Sequence, residues 1–268
     1  MSNVNEYLAS MFSLEGKTAI VTGAAGSIGS AISIALAKAG AYVAMCDANT
    51  KEIHEIQKAA PNKTALFRID MTDIHDFPNK VSDIANWGGN RIDILVNCAG
   101  INKREGLADV IEETYDKIMA VNLKGVFFLS QAVAPYMKKQ RDGVIINIGS
   151  HNTGAVLGGV SVYAATKSGI LALTRSMSVE WAKYNIRANC ISPGHIKTDL
   201  TAPTWEHPIR SQYLLDRIAL NRPGYPEDIT GLCIFLSSNA ASYITGCEYR
   251  IDGGCLSGGQ PWPYDTQF

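Results

Sequence analysis

Residues 22–29 read TGAAGSIG, and the reading of this stretch decides the fold. It stands between an apolar run, TAIV (18–21), and a helix-like segment, SIGSAISIALAKAG (27–40). Glycines permit a tight turn and let a backbone approach a pyrophosphate. The N–H groups that open the next helix then point at negative charge. The spacing Gly23, Gly26, Gly29 is not G-x-G-x-x-G, and no Gly-Lys-Ser/Thr follows, so this is not a Walker loop. The stretch predicts a phosphate cradle built by Gly23, Ser27, Ile28 and Gly29; the alternative is an ordinary strand–helix turn. Ser27 stands in a slot that suits glycine. A Cβ is tolerable there if φ stays negative, and the hydroxyl is then available to cofactor or backbone.

Outward from the loop, short apolar runs alternate with helix-period segments. AYVAMCD (41–47), ALFRID (65–70), DILVNCAG (93–100), GVIINIGS (143–150), IRANCISPG (186–194) and CEYRID (247–252) read as further strands. They are apolar on both faces, as buried parallel strands should be. The alternation predicts an α/β fold: one doubly wound, Rossmann-type parallel sheet flanked by helices. With no repeat or linker dividing the chain, residues 1–268 form a single domain, its core at about 12–254. Two segments break the rhythm. Residues 199–225, with Pro203, Pro208 and Pro223, suit a lid over the strand ends where such sheets bind ligands. The tail 255–268, with Trp262 and Tyr264, suits docking on a neighbouring subunit or a loose end.

The net charge of −1 argues against nucleic acid or an anionic membrane as partner. The six cysteines show no metal-ligand or Cys-x-x-Cys spacing, so reduced core thiols are expected and no metal. The N-terminus lacks a basic region followed by an apolar one, and no run of about 18 apolar residues is present. A soluble, cytoplasmic protein is the expectation.

The second strand ends in Asp47, near where dinucleotide-binding folds place an acid after the glycine loop. Such a carboxylate accepts hydrogen bonds from both adenosine ribose hydroxyls and repels a 2′-phosphate. Ala48 and Asn49 supply no compensating cation. The reading is NAD rather than NADP; the alternative is an Asp that caps the helix beginning near Thr50.

YAATK places Tyr163 and Lys167 on one face of a helix. A phenol ordinarily ionises near 10, too high for a base at neutrality, and a neighbouring ammonium favours the phenolate. The pair suits removal or addition of a hydroxyl proton. GVIINIGS ends in Ser150, at the sheet edge where ligands bind, and Asn122 lies in AVNLKG.

TGxxxGxG, NxAG at Asn97–Gly100, VNLKG, the strand-end serine, YxxxK and the Pro-Gly after the sixth strand follow one another in one order. Together they resemble the short-chain dehydrogenase/reductase family, over about residues 12–254. DGG (252–254) and RPGYPEDI (222–229) agree with its C-terminal pattern. The resemblance implies that Tyr163 is the general base in oxidation and the acid in reduction. Lys167 would bind the nicotinamide ribose and favour the phenolate, and Ser150 would bond the substrate oxygen. Asn122 would hold a water that joins Lys167 to solvent. It further implies that Asp70 and Met71 contact adenine and that Asn97, Ala99 and Gly100 line the adenosine-ribose side. Pro193, Gly194, Ile196 and Thr198 would grip the nicotinamide amide. The chain departs from the family at Ser27 and at Cys98, which replaces the second Asn of NNAG. Cys98 reads as a small core residue.

His151, Asn152 and Thr153 follow Ser150. Asn152 is a candidate substrate contact with Ser150 and Tyr163, unless this loop faces solvent. The polar lid suits a small hydroxylated molecule. Within the family the chain is similar to gluconate 5-dehydrogenase-like and other sugar or polyol dehydrogenases. That implies interconversion of a secondary alcohol and a ketone on a sugar, polyol or sugar acid. One alternative is a 3-oxoacyl carrier-protein reductase, against which Asp47 and the near-neutral charge count. Another is a catalytically silent cofactor sensor or scaffold. The family implies a homotetramer or homodimer paired through long helices, with Trp181 a candidate contact.

Overall fold

The computed structural model describes residues 3–58 and 63–259. A seven-stranded, wholly parallel sheet forms the centre. The chain order is α1 (Asn3–Phe12), β1 (Thr18–Thr22), α2 (Ser27–Lys38), β2 (Tyr42–Asp47), α3 (Thr50–Lys58), β3 (Thr64–Arg68), α4 (Phe77–Trp87) and β4 (Ile94–Asn97). Then come α5 (Glu112–Met119), α6 (Gly125–Gln140), β5 (Gly143–Ile148), α7 (Ser161–Glu180), β6 (Ile186–Pro193), α8 (Ala202–Trp205), α9 (Pro208–Leu215), α10 (Pro226–Ser237) and β7 (Glu248–Ile251). Spatially the strands run β3-β2-β1-β4-β5-β6-β7. The order reverses between β1 and β4, and the crevice beyond their carboxyl ends is the expected ligand position.

Period-two alternation divides the strands between two cores. Ala19 and Val21 of β1 pack with Ile32 and Leu36 of α2 and with Ile229, Cys233 and Leu236 of α10. Ile20, Leu95 and Ile145 point the other way, onto Val81 and Ile84 of α4, Leu129 and Val133 of α6 and Ile170 of α7. Each fully buried Leu or Ile contributes roughly 1.5–3 kcal/mol of transfer free energy, so both layers hold the sheet firmly.

Three features went unread in the sequence. An N-terminal helix, α1, precedes β1 and brings Phe12 within 6.4 Å of Phe235 on α10. A single π-helical turn, Ala120–Lys124, joins α5 to α6. By length and composition the continuous helix Glu112–Gln140 could cross a bilayer, yet its Val126, Leu129, Val133 and Met137 are buried against the sheet. The 199–225 segment is no open loop: it holds α8 and α9 and returns through a bridge of Ile196 to Gly224. Trp181 packs on the intrachain core with the Lys138 ammonium 5.3 Å from its ring. Trp262 and Tyr264 lie outside the described residues.

Candidate active site

The glycine cradle is dictated by contact. Gly23 has φ +69°, and a Cβ on it would stand 2.8 Å from Ala99 Cα. A Cβ on Gly29 would stand 2.1 Å from Gly23 O, closer than any real contact. Gly26 caps α2 in extended conformation. Ser27 opens α2 without positive φ, so no left-handed strain arises. Its hydroxyl bonds neither backbone nor loop: it lies 3.2 Å from Asp199 Oδ2, at the start of the 199–225 segment. Ile28 is half-buried beside it, on the first core.

Asp47 ends β2 and braces the same loop. Its Oδ2 accepts from Ala25 N at 3.2 Å and its Oδ1 from Asn49 N at 3.0 Å. Each carboxylate oxygen retains acceptor capacity. Thr22 Oγ1 accepts from both Cys98 N and Ala99 N at 3.1 Å, tying the loop after β4 to β1. A tight turn that excludes Cβ atoms, a helix N-terminus and a carboxylate at the next strand end together fit a dinucleotide.

Other sequence-derived cofactor residues scatter more. Asp70 is exposed; bonds from Thr72 N and Thr72 Oγ1 hold its carboxyl below the usual range. Met71 is buried, and its carbonyl lies 2.4 Å from where a Cβ on Gly125 would be, so only glycine lets α6 begin there. The side chain of Asn97 does not face the crevice. It is buried and donates to Ser130 Oγ at 3.1 Å and Asn147 Oδ1 at 2.8 Å, stitching β4 to β5 and α6. Desolvation pushes the Cys98 thiol up to about 12, the condition of an inert thiol. Pro193 closes β6. A Cβ on Gly194 would meet Asp252 Cα at 2.6 Å. Ile196 is buried, and Thr198 N and its hydroxyl pair with Thr201 Oγ1.

Beyond β4, β5 and β6 the polar side chains converge. Lys167 is buried and donates from Nζ to Ile148 O at 2.7 Å. Its ammonium lies 5.5 Å from the centre of the half-buried Tyr163 ring. Asn122 sits in the π turn, a distortion frequent at functional sites. Its Oδ1 accepts from Ile101 N at 2.8 Å, its Nδ2 donates to Ile101 O at 2.9 Å, and Thr166 Oγ1 lies 3.4 Å away. The amide therefore clamps the loop after β4 onto α7, a task the sequence did not disclose. A Cβ on Gly100 would lie 3.6 Å from both Asn122 Oδ1 and Lys167 Nζ, so that loop passes beside them.

Ser150 follows β5 in extended conformation, φ −167°. Its Oγ accepts from Asn152 N at 3.2 Å and Asn152 Nδ2 at 3.0 Å, and Asn152 Oδ1 in turn accepts from Leu157 N at 3.3 Å. The serine hydrogen is left free to donate. His151 and Asn152 do not face solvent; they are 6% and 8% exposed. Asn152 orients Ser150 rather than offering an open contact surface.

Sequence reasoning missed His195. Its ring meets that of His151 edge-on, centroids 4.5 Å apart. His151 Nδ1 is 3.2 Å from Pro193 O. Burial lowers both imidazoles; for His195, burial together with the charges of His151 and Arg104 brings the value to about 4. No local pattern joins residues on two strand ends, so nothing in the linear text could have paired them.

Comparison with known proteins agrees over nearly the whole chain. The family described as enoyl-(acyl carrier protein) reductase, of the short-chain alcohol dehydrogenase type, matches residues 23–255. A 2-dehydro-3-deoxy-D-gluconate 5-dehydrogenase from Dickeya dadantii is 38% identical over 92% of this chain and 98% of the relative. A 3-oxoacyl-[acyl-carrier-protein] reductase from Thermotoga maritima is 39% identical over 91% and 99%. Among solved structures, a gluconate 5-dehydrogenase from Burkholderia cenocepacia, in complex with NADP and tartrate, superposes with a TM-score of 0.88. It is 31% identical, over 93% of this chain and 99% of that one.

Proposed function

The chain belongs to the short-chain dehydrogenase/reductase family, whose members use a nicotinamide cofactor, and we propose that it is an NAD(H)-dependent dehydrogenase of a small hydroxylated substrate, a sugar, polyol or sugar acid. The observation that carries this reading is Ser150, held by Asn152 with its hydrogen free, two residues past the Ile148 carbonyl that accepts from Lys167 Nζ, with the Tyr163 ring 5.5 Å from that ammonium. When bound, the nicotinamide accepts or supplies the hydride.

The residues of the chain do the rest. The glycine turn and the N-terminus of α2 would hold the pyrophosphate, and Asp47 the adenosine ribose. Ser150 Oγ donates to the substrate oxygen and stabilises the charge that develops on it. Tyr163 takes the hydroxyl proton in oxidation and returns it in reduction. The ammonium of Lys167, fixed by Ile148 O, stands 5.5 Å from the centre of the Tyr163 ring and supplies positive charge beside the proton carrier.

NAD is supported by the carboxylate of Asp47 on β2, which would repel a 2′-phosphate. The NADP held by the Burkholderia enzyme makes this the first point to test. A sugar-type substrate is supported by the gluconate-type relatives and by the tartrate in that structure. The Thermotoga relative favours a second reading, a 3-oxoacyl carrier-protein reductase; the near-neutral charge of this chain opposes it. Assays of alditols, sugar acids and a 3-oxoacyl thioester with NAD(H) and NADP(H), followed by NAD(P)H absorbance, separate the two. Turnover confined to the thioester with NADPH would overturn the proposal. We also place the protein in a homotetramer, for which the apolar face at Leu123, Phe127 and Leu173 is available; light scattering tests this.

A further inference from the structure

Behind Ser150 lies a carboxylate that the hydride and proton steps do not use. Glu248 opens β7, at the edge of the sheet, and its side chain is 14% exposed. In register it faces Cys190 of β6, and Arg250 faces Ser192. Period-two alternation sets Cys190, Ser192 and Glu248 on one face of the sheet. Glu248 Oε1 accepts from Ser192 Oγ at 2.7 Å and from Thr153 Oγ1 at 2.6 Å. These are the lengths of a hydroxyl donating to a carboxylate, a bond stronger than one between neutral groups. The other oxygen, Oε2, stands 4.0 Å from the Arg250 guanidinium.

Each hydroxyl leads to the serine from a different side. Thr153 closes the turn that follows Ser150: its Oγ1 lies 3.0 Å from Ser150 O, and its N donates to the same carbonyl at 3.1 Å. Ser192 lies against Gly149, the residue before Ser150. A Cβ on Gly149 would stand 2.7 Å from Ser192 Oγ and 2.6 Å from Cys190 Sγ, closer than real contacts allow. Gly149 N also donates to Ile191 O at 2.7 Å, so the chain leaves β5 pressed onto β6. One carboxylate oxygen therefore holds the turn at Thr153 and the strand that supports it at Gly149. Asn152 bonds the Ser150 hydroxyl; Glu248 secures the backbone that carries both.

We propose that Glu248 is a positioning residue for the reaction: through Thr153 and Ser192 it fixes the backbone from Gly149 to Thr153, and with it the place of Ser150 Oγ. This deepens, and rests on, the dehydrogenase reading above. Glu248 touches neither the hydroxyl nor the reacting atoms, and its effect passes through Ser150.

The test compares Glu248→Leu, Glu248→Gln and Thr153→Val in the full-length protein. Steady-state kinetics on the best alcohol are paired with amide hydrogen exchange across residues 149–154. Glu248→Leu removes the acceptor and should lower kcat about 10–10²-fold, the range for a displaced reacting group, while KM for the dinucleotide stays near that of the parent. Exchange across 149–154 should quicken by about tenfold or more. Glu248→Gln keeps a carbonyl oxygen with two lone pairs and should recover most of both losses. Thr153→Val severs one anchor and should fall between; it carries the test if Glu248→Leu does not fold. A cycle with Ser150→Ala separates positioning from general support of the fold. Adding Glu248→Leu to Ser150→Ala should lower kcat no further, whereas independent sites multiply their losses. Multiplied losses, or parent-like kcat in both Glu248→Leu and Thr153→Val, overturn the proposal. Unchanged exchange across 149–154 overturns it as well. If the parent turns over no alcohol, quickened exchange in Glu248→Leu that Glu248→Gln restores would sustain the anchoring of the Ser150 turn while the dehydrogenase reading fails.

Discussion

Asn152 holds Ser150 by two bonds, from its backbone N at 3.2 Å and its side-chain Nδ2 at 3.0 Å, both to the same Oγ. Two donors on one hydroxyl oxygen leave its hydrogen free to donate to a third group. An otherwise ordinary serine becomes a directed donor.

Removal of the donor and removal of its orienting partner should therefore differ in size. Ser150→Ala should lower kcat about 10²–10³-fold, the usual cost of one oxyanion-type donor. Asn152→Ala should lower it about tenfold, because the backbone bond to Oγ survives. Steady-state kinetics on the best substrate check the order; a larger loss in Asn152→Ala contradicts the assignment.

Tyr163→Phe should lower kcat by about 10³-fold or more while melting temperature and NADH binding stay near those of the parent. Both aromatic rings fill the same half-buried space, so only the proton carrier is lost. Near-normal turnover would remove Tyr163 from the reaction.

Asp47 should impose at least about tenfold preference for NAD⁺ over NADP⁺ in kcat/KM. Asp47→Asn, which discards the charge and keeps only one of the two oxygens that accept from Ala25 N and Asn49 N, should shrink that preference. A parent enzyme that favours NADPH, or an unchanged ratio in the variant, refutes the role given to this carboxylate.

Gly29→Ala should be the most damaging change in the cradle, because its Cβ would stand 2.1 Å from Gly23 O. The backbone must shift to accept it, with loss of cofactor affinity and a lower melting temperature. Gly26→Ala meets only Gly23 O at 3.4 Å, an ordinary contact, and should keep the fold. Comparable melting temperatures for the two variants would show that the turn is looser than described.

The His195 imidazole, pushed down to about 4 mainly by burial, links stability to pH. Above pH 6.5, its ordinary value, it is neutral in both folded and unfolded chains and contributes no difference. As pH falls from 6.5 towards 4, only the unfolded chain takes up the proton, and stability is lost across that window, by roughly 2–3 kcal/mol for this group. Chemical unfolding at pH 7 and pH 5 should show a smaller drop in His195→Gln than in the parent. Equal drops would place His195 in a more solvated setting.

The fold and the glycine turn between β1 and α2 were legible because both rest on local, periodic information. Buried parallel strands must be apolar on both faces, so TAIV, DILVN and GVIIN announce themselves. A glycine turn between a strand and a helix has few uses, and Asp47 lies at the end of the very next strand. Tyr163 and Lys167 were legible for the same reason, since helical spacing sets them on one face. What the text could not show is contact between distant segments. Ser27 reaches Asp199, Asn122 clamps Ile101, and Asn97 turns inward to Asn147. His151 meets His195 edge-on, ring centroids 4.5 Å apart. Each of these pairs joins separate loops or strand ends whose distance depends on the register and twist of the whole sheet. Their burial, and with it the depressed imidazoles, exists only once both cores have closed and water has been excluded. Residue types and spacing therefore sufficed for the fold and the family, whereas the packing of the side chains around Ser150 and His151 came only from the tertiary structure.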